Sequence, residues 1–330
     1  MSDIDYKLDV VSKKYEQGLR GWQPFAGGLK SAAAGDATYL DASALLAKWK
    51  DQPRVDTFLY REVQAMYDAI KHPWEVRWQN YGTCVGQGIT ECTLGLMARR
   101  VNEGIDVWQG EPCVAGTYAG GRVNIANQAG RWEGSNGNWS IKFLQKYGVL
   151  LRKHVGLSDD GTDAETKDEE LAIKWTNSRQ GVPVDMLAKA APFKVAFWTY
   201  LDGEPEDVGL FLQNGFYVTH GSSYWVNPGM TGDDNGICRA VSQRGGHQQC
   251  WMGVRWDGSG HLMAALDRNS WGASYGKTVK RRYPDDQPPG TVWEDRESVR
   301  ARMKSGEVIA FAGPGGFESA KIDYHLLRKK

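Results

Sequence analysis

The chain has 330 residues, of which 40 are acidic and 40 basic, and this balance excludes the one-signed surface that binds nucleic acid or an anionic membrane at long range. No apolar run reaches the length of a membrane-spanning helix, so we expect neither nucleic acid nor membrane as a partner. The length suffices for one large or two modest domains, and 40 glycines with 14 tryptophans favour a mixed α and β protein rich in turns.

The N-terminus and the cysteines favour a cytoplasmic, reducing compartment. Residues 1–6 contain no basic region leading into an apolar segment, so we expect no signal peptide. The chain has five cysteines, an odd number without paired spacing, which indicates free thiols. Because the sequence contains no CxxC or HExxH pattern, we expect no metal and no cofactor.

Two polar stretches are predicted to lie on the surface. Residues 1–70 form a predicted N-terminal extension, with helical periodicity over 42–49 and 55–70. An acidic, loop-like stretch covers residues 158–170. The main domain is predicted to span residues 71–330.

A helix is predicted to begin at Cys84. Its apolar residues recur at i, i+4, i+7 and i+11 and form one stripe: Val85, Ile89, Cys92 and Leu96. Three glycines, Gly86, Gly88 and Gly95, weaken this helix by about 1 kcal/mol each relative to alanine. Since glycines within a helix often mark close backbone packing, we expect the helix to lie directly against another part of the protein.

Further elements are predicted from their end signals. One helix begins near residue 138 or 139 and stops at Gly148 as a C-terminal cap. A second helix begins at Pro205, which is followed by acidic residues, and closes at Gly215. A strand follows over residues 216–220.

A β-hairpin is predicted around residues 257–260, whose sequence Asp-Gly-Ser-Gly is a strong turn signal. Apolar residues alternate along 248–256 before the turn and along 262–266 after it. Extending the two strands from this turn places His247 beside Asn269 or one residue away. We therefore expect a side-chain contact between them.

These positions supply the groups needed for acyl transfer through a thioester intermediate. A helix N-terminus and the imidazolium of His247 would stabilise the thiolate of Cys84. Asn269 would orient the imidazole through its side-chain oxygen. Gln79 would donate an N–H to the oxyanion together with the backbone amide of Cys84.

The other cysteines are predicted to be packing thiols rather than catalytic groups. Two of them, Cys92 and Cys250, fall on the predicted apolar faces. The remaining two are Cys113 and Cys238.

The sequence resembles the papain-like cysteine proteases over about residues 71–312. Asn269-Ser270-Trp271-Gly272 matches the family's Asn-Ser-Trp-Gly segment, and the order cysteine, histidine, asparagine is that of the family. Residues 135–140 (Ser-Asn-Gly-Asn-Trp-Ser) resemble its Asn-Gly-Gly segment. Residues 147–150 (Tyr-Gly-Val-Leu) resemble the Tyr-Gly-Ile that continues it.

This resemblance implies an α+β fold of two lobes with the substrate cleft between them: a helical lobe over about 71–200 and a β-rich lobe over about 201–330. It also implies that Asn136, Gly137 and Trp271 bind the substrate and that Trp271 shields the histidine–asparagine hydrogen bond from water. The extension 1–70 would be an inhibitory pro-segment or a docking arm for protein partners.

The sequence departs from the family pattern at four positions. Gln79 precedes Cys84 by five residues, one fewer than is usual. Val85 stands where the family has tryptophan. Tyr81 replaces a cysteine, so a familiar disulfide is missing, and Gln248 follows the histidine where a small residue is usual.

The sequence therefore predicts a papain-like thiol hydrolase that cleaves polypeptide substrates through Cys84, His247 and Asn269. Two alternatives stay open. A structural or assembly protein, for example a component of a virion or another large particle, would retain the fold with weak or no activity; the tryptophan surplus and the extension favour it. A cell-wall amidase or transamidase would apply the same mechanism to a different substrate.

Overall fold

The computed structural model describes residues 21–23, 39–130, 134–227 and 232–315, so half of the predicted N-terminal extension (1–20 and 24–38) lies outside the described residues. The helices are α1 (Ala42–Trp49), α2 (Tyr60–Ile70), α3 (Cys84–Asn102), α4 (Val114–Ala119), α5 (Gly137–Lys146), α6 (Thr162–Asn177), α7 (Val184–Ala190), α8 (Pro205–Gln213) and α9 (Arg296–Ser305). A π-helix (Gly120–Ile125) continues α4, and a 3-10 helix spans Arg152–Val155. None of the helices described is long and apolar enough to cross a bilayer.

The strands are β1 (Lys194–Tyr200), β2 (Tyr217–Trp225), β3 (Ile237–Cys238), β4 (Val241–Trp256), β5 (Leu262–Arg268), β6 (Thr291–Asp295) and β7 (Glu307–Gly315). Within the described ranges they form one seven-stranded sheet in the order β1-β7-β2-β4-β5-β6-β3. Neighbouring strands are antiparallel except β3 and β6. The long strand β4 is central and pairs with β2 on one side and β5 on the other.

Helix α3 runs through the core, and every residue from Cys84 to Ala98 is buried. A Cβ added to Gly88 would lie 3.1 Å from the carbonyl oxygen of Gln249, and one added to Gly95 would overlap the ring of Tyr217. Glycine fits both positions because α3 packs directly on β4 and β2. The predicted close packing is confirmed, whereas the single apolar stripe is wrong because the helix is buried on all sides.

End signals located two other helices well. Asn136 is the N-cap of α5, which begins at Gly137, and its side chain accepts a backbone hydrogen bond of 3.0 Å from the third residue of the helix. Gly148 follows this helix with a φ of +98°. Helix α8 begins at Pro205, and Gly215 follows it with a φ of +84°.

The predicted hairpin is formed by β4 and β5, with residues 257–260 in the turn, but its register is shifted. Cys250 faces Arg268, one residue from the predicted alignment. Val254 faces Ala265, two residues from it. The difference arises from irregularities in the pairing of β4, since an extra unpaired residue moves every later pair by one position.

The acidic stretch 158–170 is not a surface loop, contrary to expectation. From Thr162 onward it is helix α6, and three of its acidic side chains are buried: Glu165, Asp168 and Glu169. Asp168 accepts hydrogen bonds of 3.0 and 2.8 Å from the first two backbone N–H groups of α4, and it pairs with Arg152 at 3.1 Å. The prediction failed because the partners that make burial of these carboxylates favourable are distant in the sequence.

Residues 39–70, the described C-terminal part of the predicted extension, pack on the main core. Trp49 on α1 and Tyr60 on α2 are each 1% exposed and lie within the principal hydrophobic cluster. Val63 and Met66 of α2 pack with buried residues of α3 in a second cluster. The described residues on either side of position 70 thus share hydrophobic clusters, and the division into an extension and a main domain stays a prediction.

Candidate active site

Cys84 is the first residue of α3, and its thiol is fully buried. Burial raises the pKa of this thiol to about 12, and the nearby charge of Glu169 also raises it. Three backbone N–H groups, those of Gln248, Val85 and Cys84 itself, act on the sulfur in the opposite direction. Because the raising effects dominate, Cys84 is a neutral thiol at neutral pH in this state.

His247 lies on β4, and its Nε2 is 2.9 Å from Oδ1 of Asn269. Since an amide oxygen only accepts, Nε2 carries the proton and Nδ1 keeps its lone pair. The pKa of the imidazole is lowered to about 3, chiefly because the ring is buried. The bond to Asn269 opposes this shift, and the charge of Arg302 contributes to it. The side-chain contact expected from the hairpin is therefore present, and the imidazole is neutral.

Aromatic rings cover this contact. The ring of Trp271 stacks on His247, with centroids 4.4 Å apart and 17° between the planes. Trp225 packs edge-on against Trp271 at 5.1 Å, and Tyr275 does so at 5.6 Å. All three aromatic residues are buried. Water is thus kept from the side of the imidazole that Trp271 covers.

The packing of α3 on β4 brings Cys84 to the strand that carries His247. The backbone N–H directed at the thiol belongs to Gln248, the next residue after His247. The close approach at Gly88, one turn further along α3, holds the helix on the same part of the strand. Cys84 therefore lies next to the strand residue that follows His247, while the contact of His247 itself is with Asn269. A catalytic group of Cys84, His247 and Asn269 stays a prediction.

Gln79 is tied to the segment that follows β5. Its backbone N–H donates to the carbonyl of Ser270 at 2.8 Å, and its side-chain oxygen accepts from the Ser270 hydroxyl at 2.9 Å. Its side-chain nitrogen donates to the carbonyl of Tyr81 at 2.6 Å. This nitrogen is thus engaged within the loop before Cys84, and its role toward an oxyanion stays a prediction.

Glu169 organises the loop that leads into Cys84, a role that the sequence did not reveal. Its carboxylate accepts a backbone hydrogen bond of 2.6 Å from Asn80 and another from the hydroxyl of Thr83, the residue before Cys84. Burial raises the pKa of Glu169 to about 7, although these hydrogen bonds lower it. No local signal distinguished Glu169 from its exposed neighbour Glu170.

Residues 21–23 lie in the site as an extended segment paired with Ser135. Ser135 donates its backbone N–H to the carbonyl of Gly21 at 2.8 Å, and Gln23 donates to the carbonyl of Ser135 at 2.7 Å, which makes a parallel bridge. On the other side, the N–H of Trp22 reaches the carbonyl of Gly246 at 3.3 Å. The segment is thus held between the start of α5 and β4, immediately before His247.

The residues expected to bind substrate lie beside this segment. Gly137 donates its backbone N–H to the carboxylate of Glu307, and Asn136 caps α5. The backbone that pairs with an extended chain is that of Ser135, two residues before Gly137. Substrate-binding roles for Asn136 and Gly137 therefore stay predictions, and Ser135 joins them as a candidate.

The indole of Trp22 fills a pocket next to the thiol. Its Nε1–H donates to Oε1 of Glu307 at 2.9 Å, and a Cβ added to Gly221 would overlap its ring. Trp22 is 6% exposed and Glu307 2%. Burial raises the pKa of Glu307 to about 7. Hydrogen bonds from the Trp22 indole and from the backbone N–H groups of Gly137 and Asn138 act in the opposite direction. No local pattern could indicate this contact, because Trp22 and Glu307 are 285 positions apart.

Gly21 covers Cys84 itself. A Cβ added to Gly21 would overlap the sulfur of Cys84 and lie 3.2 Å from the carbonyl oxygen of Gly82. Only glycine fits here because the segment passes in direct contact with the thiol. The full burial of Cys84 is therefore due in part to this segment of the same chain.

A second row of polar groups lies on the sheet beside the first. His220 on β2 contacts Oδ1 of Asp267 through Nε2 at 2.9 Å, and its ring stacks on Trp251 at 3.9 Å. His220, Asp267 and Glu294 are close enough to be ligands of one metal ion. However, Arg302 pairs with Glu294 and donates to Nδ1 of His220 at 3.1 Å, which makes the cluster a hydrogen-bonded network rather than an open set of ligands.

Neither a protein-family model nor a curated protein matches this sequence. In three dimensions the chain is similar to xylellain, a cysteine protease from Xylella fastidiosa, with 16% identity, 89% of this chain and 95% of that chain covered, and a TM-score of 0.58. It is also similar to proCathepsin B S9 from Trypanosoma congolense (12% identity, 91% and 88% covered, TM-score 0.53). A third similar structure is digestive procathepsin L 3 of the Tenebrio molitor larval midgut (11% identity, 94% and 89% covered, TM-score 0.50).

The chain has the α+β fold of the papain-like cysteine proteases. This confirms the fold class expected from the sequence. Because the sequence identities are 11–16%, the similarity to these three structures concerns the fold alone.

Proposed function

We propose that the protein is a papain-like thiol peptidase that cleaves amide bonds of polypeptide substrates and is held in a latent form by residues 21–23. The observation that carries the proposal is the hydrogen bond between His247 and Asn269 under Trp271, on the strand whose next residue, Gln248, directs its backbone N–H at the sulfur of Cys84. An imidazole oriented by an amide oxygen next to such a thiol supports nucleophilic catalysis.

In the proposed reaction Cys84 attacks the carbonyl carbon of the scissile amide. His247 takes the thiol proton through Nδ1 and passes it to the leaving amine, while Asn269 holds the imidazole by its Nε2–H. The backbone N–H of Cys84 and the side-chain nitrogen of Gln79 hold the oxyanion, after Gln79 has released the carbonyl of Tyr81. Water activated by His247 then hydrolyses the thioester and restores the thiol.

Latency follows from the position of the N-terminal segment. Gly21 lies on the sulfur and Trp22 fills the adjacent pocket, so a substrate carbonyl has no access to Cys84. Burial favours a neutral thiol and a neutral imidazole over the reactive ion pair. Two of the similar structures are proforms by name, which supports a pro-segment rather than a docking arm.

The experiment inserts a recognition site for a specific protease between Gln23 and Tyr39, so that the segment is severed after folding. Peptide hydrolysis and site-resolved alkylation at neutral pH are measured before and after the cut. We expect Cys84 to become the fastest-labelled of the five cysteines after the cut, together with hydrolysis that requires His247. If Cys84 is labelled no faster than Cys113 after the cut and the removal of the segment, the proposal that Cys84 is an activated thiol is refuted.

A further inference from the structure

Two cysteines outside the proposed catalytic group face each other across the interface between α3 and β4. Cys92 lies on α3, eight residues after Cys84, and Cys250 lies on β4, three residues after His247. Their sulfur atoms are 2.9 Å apart. Both side chains are fully buried, and both residues belong to the principal hydrophobic cluster.

This separation is close to that of a bonded pair. A disulfide has an S–S length of about 2.05 Å, so the sulfur atoms need to approach by only about 0.9 Å. The packing at Gly88, against the backbone of Gln249, already holds helix and strand at close range beside the pair. The sulfur atoms thus need to move by less than about 1 Å, across an interface where helix and strand are already in direct contact.

The remaining cysteines have other surroundings. Cys113 donates its thiol to Asp168 at 3.0 Å, and Cys238 packs in the aromatic cluster of Trp225 and Trp271. Cys84 lies in the candidate active site. The spatial arrangement thus selects one pair out of the five thiols, all of which lie in the described part of the chain.

We propose that Cys92 and Cys250 form a reversible disulfide that ties the helix carrying Cys84 to the strand carrying His247. The oxidant is a small-molecule disulfide. One cysteine thiolate attacks it and gives a mixed disulfide with release of one small thiol. The second cysteine then displaces the other small thiol. The two cysteines lose two electrons and two protons, which the oxidant gains as it becomes two thiols.

Burial determines when this exchange occurs. It raises the pKa of both thiols, so few thiolates are present while α3 and β4 are packed. Exchange therefore runs during folding or when this interface opens. The same burial protects the bond from reductants once it has formed. The bond stabilises the protein by restricting the unfolded chain, since it closes a loop between positions 158 apart.

The test uses the full chain with Cys84→Ala, which removes the candidate nucleophile and makes the result independent of peptidase activity. Oxidised glutathione is added to the folded protein in one arm and during refolding in a second arm. Peptide mass spectrometry without reductant and the thermal unfolding midpoint are then measured. The variants are Cys92→Ala and Cys250→Ala, and Cys238→Ala is the matched control for loss of a buried thiol.

We expect a linked peptide pair containing Cys92 and Cys250 in at least the refolding arm. The oxidised protein should unfold at a temperature higher by roughly 5 °C than the reduced protein. This difference should vanish in Cys92→Ala and Cys250→Ala and persist in Cys238→Ala. Absence of the linked pair from both arms, a link through another cysteine, or a shift that survives in Cys92→Ala would overturn the proposal. Failure here leaves the proposed peptidase function untouched.

Discussion

Gly21 lies so close to Cys84 that a single added carbon atom at Gly21 would overlap the sulfur. The contact joins the N-terminal part of the chain to the first residue of α3. Because glycine is the only residue without a Cβ, the seating of residues 21–23 over the thiol depends on this one position.

Replacement of Gly21 by alanine should displace residues 21–23 from their position over Cys84. The added methyl group forces either the segment or Cys84 to move, which costs roughly 1–3 kcal/mol. We expect alkylation of Cys84 in the intact chain to become about 5- to 100-fold faster. Gly258→Ala is the matched control, because a Cβ at Gly258 meets nothing within 4 Å. Equal labelling rates in the two variants would contradict the assignment of Gly21 as the cover.

Trp22 offers two substitutions that separate burial from hydrogen bonding. Trp22→Ala leaves a large cavity, which weakens the binding of residues 21–23 in the site by roughly 3–5 kcal/mol. This change should largely abolish latency. Trp22→Phe fills much of the pocket but leaves Glu307 without its indole donor, which costs about 1–3 kcal/mol. Cys84 should be labelled fastest in Trp22→Ala, more slowly in Trp22→Phe and slowest in the protein with the natural tryptophan.

Trp108→Ala is the control for this pair, because Trp108 packs against Tyr67 and is not in the site. It should leave the labelling rate of Cys84 unchanged. Rates that rise equally in Trp22→Ala and Trp108→Ala would indicate general destabilisation rather than release of the segment.

The pH dependence of labelling distinguishes the latent state from the released state. In the latent state the pKa of Cys84 is about 12, so between pH 6 and 9 the thiolate fraction, and with it the alkylation rate, rises about tenfold per pH unit. After release, exposure removes the main cause of the raised pKa and the imidazolium of His247 lowers it further. The rate should then depend much less on pH over the same range. A tenfold rise per pH unit in both states would argue against an activated thiol.

Activity of the released protein should require the three central residues to different degrees. Cys84→Ala and His247→Ala remove groups that take part in the chemistry, and we expect losses of about 10⁴-fold or more in kcat/KM. Asn269→Ala removes only the orientation of the imidazole, so a loss of roughly 10²-fold is expected. Cys238→Ala should retain activity in the same peptide hydrolysis assay. A fully active His247→Ala protein would exclude the proposed mechanism.

Glu169 is expected to be important for stability because it holds the loop before the nucleophile. Glu169→Ala leaves the half-buried N–H of Asn80 and the buried hydroxyl of Thr83 without their acceptor, and should lower the free energy of unfolding by roughly 2–4 kcal/mol. Glu170→Ala, at the exposed neighbouring position, should change it by no more than about 0.5 kcal/mol. Denaturant unfolding of the two variants measures the difference.

Local signals were sufficient for the elements that carry the site. The turn at residues 257–260 and the alternation around it placed His247 near Asn269, although irregular pairing shifted the register by one or two residues. Glycine and proline fixed the ends of α5 and α8 because these residues restrict or extend backbone conformation wherever they occur.

Contacts between residues that are distant in the sequence could not be predicted, because local signals do not identify the partner. Glu169 and Glu307 are acidic residues in polar surroundings along the chain, and only the folded structure gives them buried donors. Trp22 lies in a polar stretch whose docking surface is formed by residues more than a hundred positions away. Periodicity describes which side of an element is apolar, and it contains no information on which distant segment covers it.

The segment that covers Cys84 is joined covalently to the domain that it covers, since only fifteen residues (24–38) separate Gln23 from Tyr39. Its local concentration is therefore set by the length of that connection and does not change when the protein is diluted. Competing peptides have to exceed this local concentration to gain access. Hydrolysis of any one bond between Gln23 and Tyr39 would convert the segment into a separate ligand that dilution can remove. The proposed release would thus turn an intramolecular contact into an intermolecular one.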